Sequence, residues 1–112
     1  SNINEKSKGI LCTGFPSWRN YGKDSLNKFM DKIKDWKKIR AIGSAAISLV
    51  WVARGWVDAY MEEDIRIWDV AAGLALVKAA GGEIFIKENS RTNFVTAIAT
   101  NGRISVKELI EC

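Results

Sequence analysis

The sequence predicts an α/β layered domain, a mostly parallel sheet of about five strands flanked by helices, and three observations carry that expectation. Short apolar runs of strand character recur between longer stretches with helical spacing, so the two kinds of element alternate along the chain. Turn residues mark the changes of element, at Gly14-Phe15-Pro16, Gly43-Ser44 and Gly81-Gly82. The length of 112 residues, 47% of them hydrophobic, is ample for one core.

Each element has its own justification. Ile10-Leu11-Cys12-Thr13 is an apolar run closed by turn chemistry, which predicts a strand. After a polar loop at residues 17–22, Leu26, Phe29, Met30 and Ile33 recur at three- and four-residue steps among lysines and aspartates, the mark of an amphipathic surface helix. Residues 39–42 predict a second strand. Gly43-Ser44 then opens a helix over residues 45–53 that is apolar nearly all round and is therefore expected to be buried on most sides. Residues 57–62 read as a strand that ends at Glu62, with a loop leading on to Asp69. Residues 70–80, rich in Ala and Leu and stopped by Gly81-Gly82, read as another deeply packed helix. Alternation returns at residues 83–87 and 94–100, two strands joined by a polar turn at 89–93, and a short helix over residues 105–110 follows.

Composition removes several classes of function. The net charge of +4 is modest, and the lysines and arginines between Arg19 and Arg40 are interrupted by Asp24, Asp31 and Asp35, as on a solvated helix face. No aromatic-rich RNA motif or recognition-helix pattern accompanies them, so no nucleic-acid role is expected. Cys12 and Cys112 form neither a metal-type spacing nor a disulfide framework, which suits a reducing cytoplasm. The longest apolar stretch is bracketed by Arg40 and Arg54 and is too short to span a bilayer. There is no histidine, which excludes Ser-His-Asp and Cys-His nucleophilic arrangements, and no phosphate-cradling P-loop or dinucleotide fingerprint appears. Ser1-Asn2, without an initiator Met, reads as a tag remnant, with residues 1–8 as a leader to a chain cut from something longer.

Three places offer chemistry, and a fourth is a weaker candidate. Asp69 stands at the mouth of the helix that ends at Gly81-Gly82, where a carboxylate either caps the helix or faces outward to hold a cation. Gly43-Ser44-Ala45 lies between a strand and a helix, where Ser44 serves as a cap and free N–H groups favour an anion. Glu62 is either an ordinary exposed acid or a group at the edge of the same cleft. Ser17, past Gly14-Phe15-Pro16, is a weaker candidate for facing an anion.

The string Trp68-Asp69-Val70-Ala71-Ala72-Gly73, with Gly43-Ser44-Ala45 upstream and Asp58-Ala59-Tyr60-Met61-Glu62 between, resembles the C-terminal half of the inositol monophosphatase family of metal-dependent sugar phosphatases. That resemblance covers roughly residues 10–101 and casts residues 9–112 as the C-terminal domain of a Mg²⁺-dependent phosphomonoesterase. It implies that Asp69 ligates a catalytic Mg²⁺, that Gly43, Ser44 and Ala45 face the substrate phosphate, and that Glu62 hydrogen-bonds substrate hydroxyls. Mg²⁺ takes hard oxygen ligands and keeps several waters, so one or two carboxylates per ion suffice. Asp64 stands where the family often has Gly, and Ile67 where several members have Pro, so the substrate-facing loop is altered. Trp68 is expected to pack and to fix the turn that aims Asp69.

The resemblance implies that most of the metal ligands come from an N-terminal domain carrying a Glu and an Asp-Pro-x-Asp-Gly-Thr motif, and the single proline here, Pro16, has no Asp before it and no Asp-Gly-Thr after it. The resemblance therefore implies a cytoplasmic hydrolase acting on a small phosphate ester, completed by a missing N-terminal domain and working as a homo-oligomer. The chain alone is expected to be inactive. A truncated, non-catalytic binding or oligomerisation module of the same fold is the alternative.

Overall fold

Side chains alternate along the strands between two separate cores, and this division organises the molecule. The structure, a computed structural model, describes residues 2–14 and 23–110, with side chains from residue 27 in the first helix. The expected loop at 17–22 and Cys112 lie outside the described residues. After a single 3-10 turn at Lys6–Lys8 come β1 (Ile10–Thr13), α1 (Lys23–Ile33), β2 (Lys38–Arg40), α2 (Ala45–Arg54) and β3 (Ala59–Arg66). Then follow α3 (Ile67–Ala79), β4 (Glu83–Glu88), β5 (Phe94–Thr100) and α4 (Lys107–Ile110).

The five strands lie in the order β2-β1-β3-β5-β4. β1 is parallel to β2 and to β3, whereas β5 is antiparallel to both β3 and β4. Four strands thus share one direction and β5 alone is reversed, which makes the sheet mixed but mostly parallel, as expected. Cys12, Tyr60, Ala97 and Ala99 face α2 and α3, meeting Leu49, Val52, Val70, Leu74 and Val77. Leu11, Ala59, Met61 and Ile98 face the other way, onto Trp36, Ile104, Val106 and Leu109. Ile3 rests against this second cluster, and its carbonyl accepts from the Asn101 amide at 2.8 Å.

Three expectations are corrected. β2 starts one residue and ends two residues earlier than the apolar pattern suggests, because Lys38, Ile39 and Arg40 are the residues in register with Ile10, Leu11 and Cys12. β3 does not stop at Glu62. It runs on to Arg66 against β5, with a bulge between Glu62 and Ile65 where Asp64 adopts φ +55°. No loop separates it from α3, which starts at Ile67.

Nor are the two apolar helices buried on most sides. α2 buries Ser48, Leu49 and Val52 but exposes Ile47 and Val50, and α3 buries Val70, Leu74 and Val77 but exposes Trp68 and Leu76. Their inner faces meet at Gly73, where an added Cβ would lie 2.7 Å from the Cβ of Leu49. That close approach fits the small-residue composition of α3. The outer faces have no cover among the described residues. No helix among those residues is long and apolar enough to cross a membrane.

Candidate active site

The chain leaves β1 for α1 on one face of the sheet and leaves β2 for α2 on the other, so the neighbouring carboxyl ends of β1 and β2 open a crevice. A cleft of about 590 Å³ occupies that position. Its walls include Thr13 and Gly14 at the end of β1, Ala41 beyond β2, and Gly43, Ser44 and Ala45 at the start of α2. Glu62 and Ile65 from β3 and Asp69 from α3 complete it. The five residues singled out from sequence, Gly43, Ser44, Ala45, Glu62 and Asp69, therefore line one cavity. Ser17 lies outside the described residues.

Gly43 has φ +79°, a left-handed turn that an L side chain would strain, and it brings the chain from β2 into α2. Ser44 then caps the helix in extended conformation, its hydroxyl accepting from the Ile47 amide at 3.2 Å. Ser48 donates its hydroxyl to the Ser44 carbonyl at 2.8 Å and ties down the first turn. Among the described residues no acceptor takes up the amides of Ala45 and Ala46, which leaves them to the cleft with the positive end of the helix dipole.

Asp69 is not the cap of α3. Arg66 holds that position without a side-chain bond, and Asp69 is the third helical residue, in the first turn. Its carboxylate is exposed, and among the described residues no hydrogen bond or ion pair engages it. Trp68, expected to pack, is 59% exposed, with the Arg66 guanidinium 5.8 Å from its ring centre. What aims Asp69 is the direct passage from β3 into α3, because the Ile67 amide donates to the Asn93 carbonyl at 2.9 Å and fixes the junction.

Glu62 is half-buried, and one oxygen, Oε1, accepts the Tyr60 hydroxyl at 2.9 Å. Burial holds its carboxyl above the usual carboxylate range, the Tyr60 bond draws it back, and the charge of Asp69 adds to the rise. The Tyr60 phenol is fully buried and is held protonated by that burial and by the Glu62 carboxylate. The altered loop expected around Asp64 is instead the β3 bulge, with the Asn89 amide donating to the Asp64 carboxylate. Cys12 is fully buried, and burial pushes its thiol up.

Sequence reasoning did not single out Thr13, Ala41 or Ile65 as cleft residues, nor Tyr60 as the partner of Glu62. For Tyr60 a signal existed: it stands two residues before Glu62 on a strand, hence on the same face. Mutual repulsion of two carboxylates in an open cleft is relieved by a cation, so the donor chemistry fits a hard divalent metal. The fit is partial, since among the described residues no three His, Cys, Asp or Glu side chains converge.

Fold and cleft together define an α/β protein with its crevice at a topological switch point. A sequence model of the inositol monophosphatase family matches residues 3–109, and the chain belongs to that family. An inositol-1-monophosphatase of Synechocystis is 44% identical over 100 residues, 87% of this chain and 35% of that protein. Nus factor SuhB of Xylella fastidiosa is 43% identical over 76 residues, 67% of this chain and 28% of that protein. The structure of an inositol monophosphatase from Anabaena matches with a TM-score of 0.81 at 34% identity, over 98% of this chain and 46% of that one. The chain thus spans less than half the length of each of these relatives.

Proposed function

We propose that residues 9–112 form the C-terminal domain of a cytoplasmic, Mg²⁺-dependent phosphomonoesterase acting on an inositol phosphate or a related small phosphate ester. The observation that carries this is the convergence of Asp69, Glu62 and the first turn of α2 on one cleft. Asp69 offers hard oxygens for the cation, free of other partners among the described residues. Bound there, Mg²⁺ supplies Lewis-acid polarisation of a phosphoryl group. The amides of Ala45 and Ala46, backed by the helix dipole and positioned by Gly43 and the Ser44 cap, receive phosphate oxygens. Glu62 accepts from a substrate hydroxyl and sets the orientation of the alcohol portion.

With Glu62 given to the substrate, Asp69 is the one carboxylate left for metal, too few for a catalytic metal cluster, and the remaining ligands are proposed to come from the longer protein. The uncovered apolar faces of α2 and α3 and the greater length of the relatives support a domain that packs there. The isolated chain is accordingly inactive, and the working form is a homo-oligomer of the longer protein. Asp69→Asn in that longer protein tests the assignment by magnesium titration. Turnover is expected to fall by more than the roughly 10–100-fold that even outer-shell changes at metal sites cost. Unchanged turnover and magnesium dependence would remove the assignment, as would Mg²⁺-dependent phosphatase activity in the chain alone.

A further inference from the structure

We infer that Tyr60 is a specificity-determining positioning residue: it holds Oε1 of Glu62 permanently, so that the cleft sees a carboxylate of fixed orientation with Oε2 turned to the ligand. The inference rests on the proposed hydroxyl-binding role of Glu62. Tyr60 and Glu62 share one face of β3, two residues apart, and the hydroxyl-to-Oε1 distance is 2.9 Å. The phenol ring has no exposed surface and lies in the core between the sheet and α2 and α3, so it cannot swing away to water. Thr13 strengthens the setting from the other side, its hydroxyl donating at 2.6 Å to the carbonyl of Met61, the residue between the two.

Chemistry makes the arrangement one-directional. A tyrosine hydroxyl held protonated beside a carboxylate can only donate to it, so one lone pair of Oε1 is committed whatever enters the cleft, and the carboxylate is anchored there. The carboxylate cannot flip without breaking that bond, and Oε2 is left with one bearing. Gly14 lies alongside, and because a Cβ there would only just touch the Glu62 carboxyl group, 3.5 Å from its carbon, glycine keeps that flank open to an incoming hydroxyl. A carboxylate anchored in this way favours an alcohol whose hydroxyl reaches Oε2 in its fixed position over one that would need the group to turn. Such a site prefers a polyol phosphate over a phosphate ester lacking a neighbouring hydroxyl.

The test compares Tyr60→Phe with Glu62→Gln in the longer, active protein, using inositol 1-phosphate and p-nitrophenyl phosphate. Phe fills the same buried volume, and melting curves establish that the variant is folded. Tyr60→Phe is expected to raise KM for inositol 1-phosphate about tenfold, the scale of one lost hydrogen bond to a charged group, while its kcat and all p-nitrophenyl phosphate kinetics stay within about twofold. Glu62→Gln should show the same selective loss. Equal loss on both substrates in Tyr60→Phe would reduce Tyr60 to a packing residue and overturn the inference while leaving Glu62 in place. Absence of a selective loss in Glu62→Gln would overturn the inference by removing the hydroxyl contact on which it rests.

Discussion

Two aspartates at opposite ends of β3 lead opposite lives. Asp58, just before the strand, is 5% exposed, and its carboxylate accepts from the Ile10 amide at 2.8 Å and the Asn101 side chain at 3.3 Å. The backbone closes around it, with the Asp58 amide donating to the Ile10 carbonyl and the Asn101 amide to the Asp58 carbonyl. This acid joins the beginnings of β1 and β3 to the end of β5. Asp69, beyond the other end, lies exposed on the cleft with no partner among the described residues. Both are aspartates near element boundaries, and that position alone does not separate them. What separates them is how many N–H groups the fold directs at each. A saturated carboxylate is a fastener, and an unengaged one is available to a ligand.

The sharpest way to break this contrast is to remove the fastener. Asp58→Ala strands the Ile10 amide in a part-buried setting and takes from the Asn101 side chain one of its acceptors, the Ile3 carbonyl remaining, and should cost about 3 kcal/mol in urea unfolding, the sum expected for lost charge-assisted bonds and an orphaned donor. Loss below about 1 kcal/mol would mean that water replaces the carboxylate easily and that Asp58 is no more structural than Asp69.

A second experiment concerns the layer that carries Asp69. Gly73→Ala puts a methyl 2.6 Å from Cδ1 and 2.7 Å from Cβ of Leu49, which is fully buried and cannot retreat. The gain in helix propensity, about 1 kcal/mol, opposes the clash. Overpacking of this kind costs about 1–3 kcal/mol, so a net loss of about 1 kcal/mol is expected in thermal unfolding. A stabilised variant would show that α2 and α3 separate readily, and that the cleft between their first turns is adjustable.

Much of the fold was legible because its signals are local. β1, β4 and β5 carry compact apolar or alternating runs, and the stop at Gly81-Gly82 marks the end of α3. Glu62-Glu63-Asp64-Ile65-Arg66 was not legible as strand, since charge density of that kind reads as loop. The structure accommodates it because β1 reaches only to Met61, so beyond that point β3 pairs with β5 alone. Glu63 pairs with Lys32 and Asp64 receives Asn89, contacts that come from distant segments. The expected burial of α2 and α3 failed for another reason. Apolarity records what a helix is made to contact, and Ile47, Val50 and Leu76 have no contact layer among the described residues. That Gly43, Ser44, Ala45, Glu62 and Asp69 belong together was legible through the motif, and they line one cleft, whereas the convergence of Thr13, Ala41 and Ile65 depends on strand order, which no short string encodes.

The smallest expected effect touches the open end of the contrast and has a sign that runs against habit. Glu62 is a carboxyl whose proton the folded chain holds more tightly than the unfolded one, because burial, and then the Asp69 charge, disfavour ionisation. Between the unfolded and folded pKa values the native state binds more protons, so stability declines as pH rises through that window. The penalty is fully in place above the raised value and vanishes below the ordinary glutamate pKa of about 4.3. Glu62→Gln removes the charge and keeps an oxygen for Tyr60 to donate to. The variant should melt above the parent at neutral pH, with the difference closing as pH falls toward the ordinary glutamate range. A variant that melts lower at neutral pH would mean that the Glu62 charge stabilises this fold, and the cleft would lose the built-in electrostatic tension that a cation would relieve.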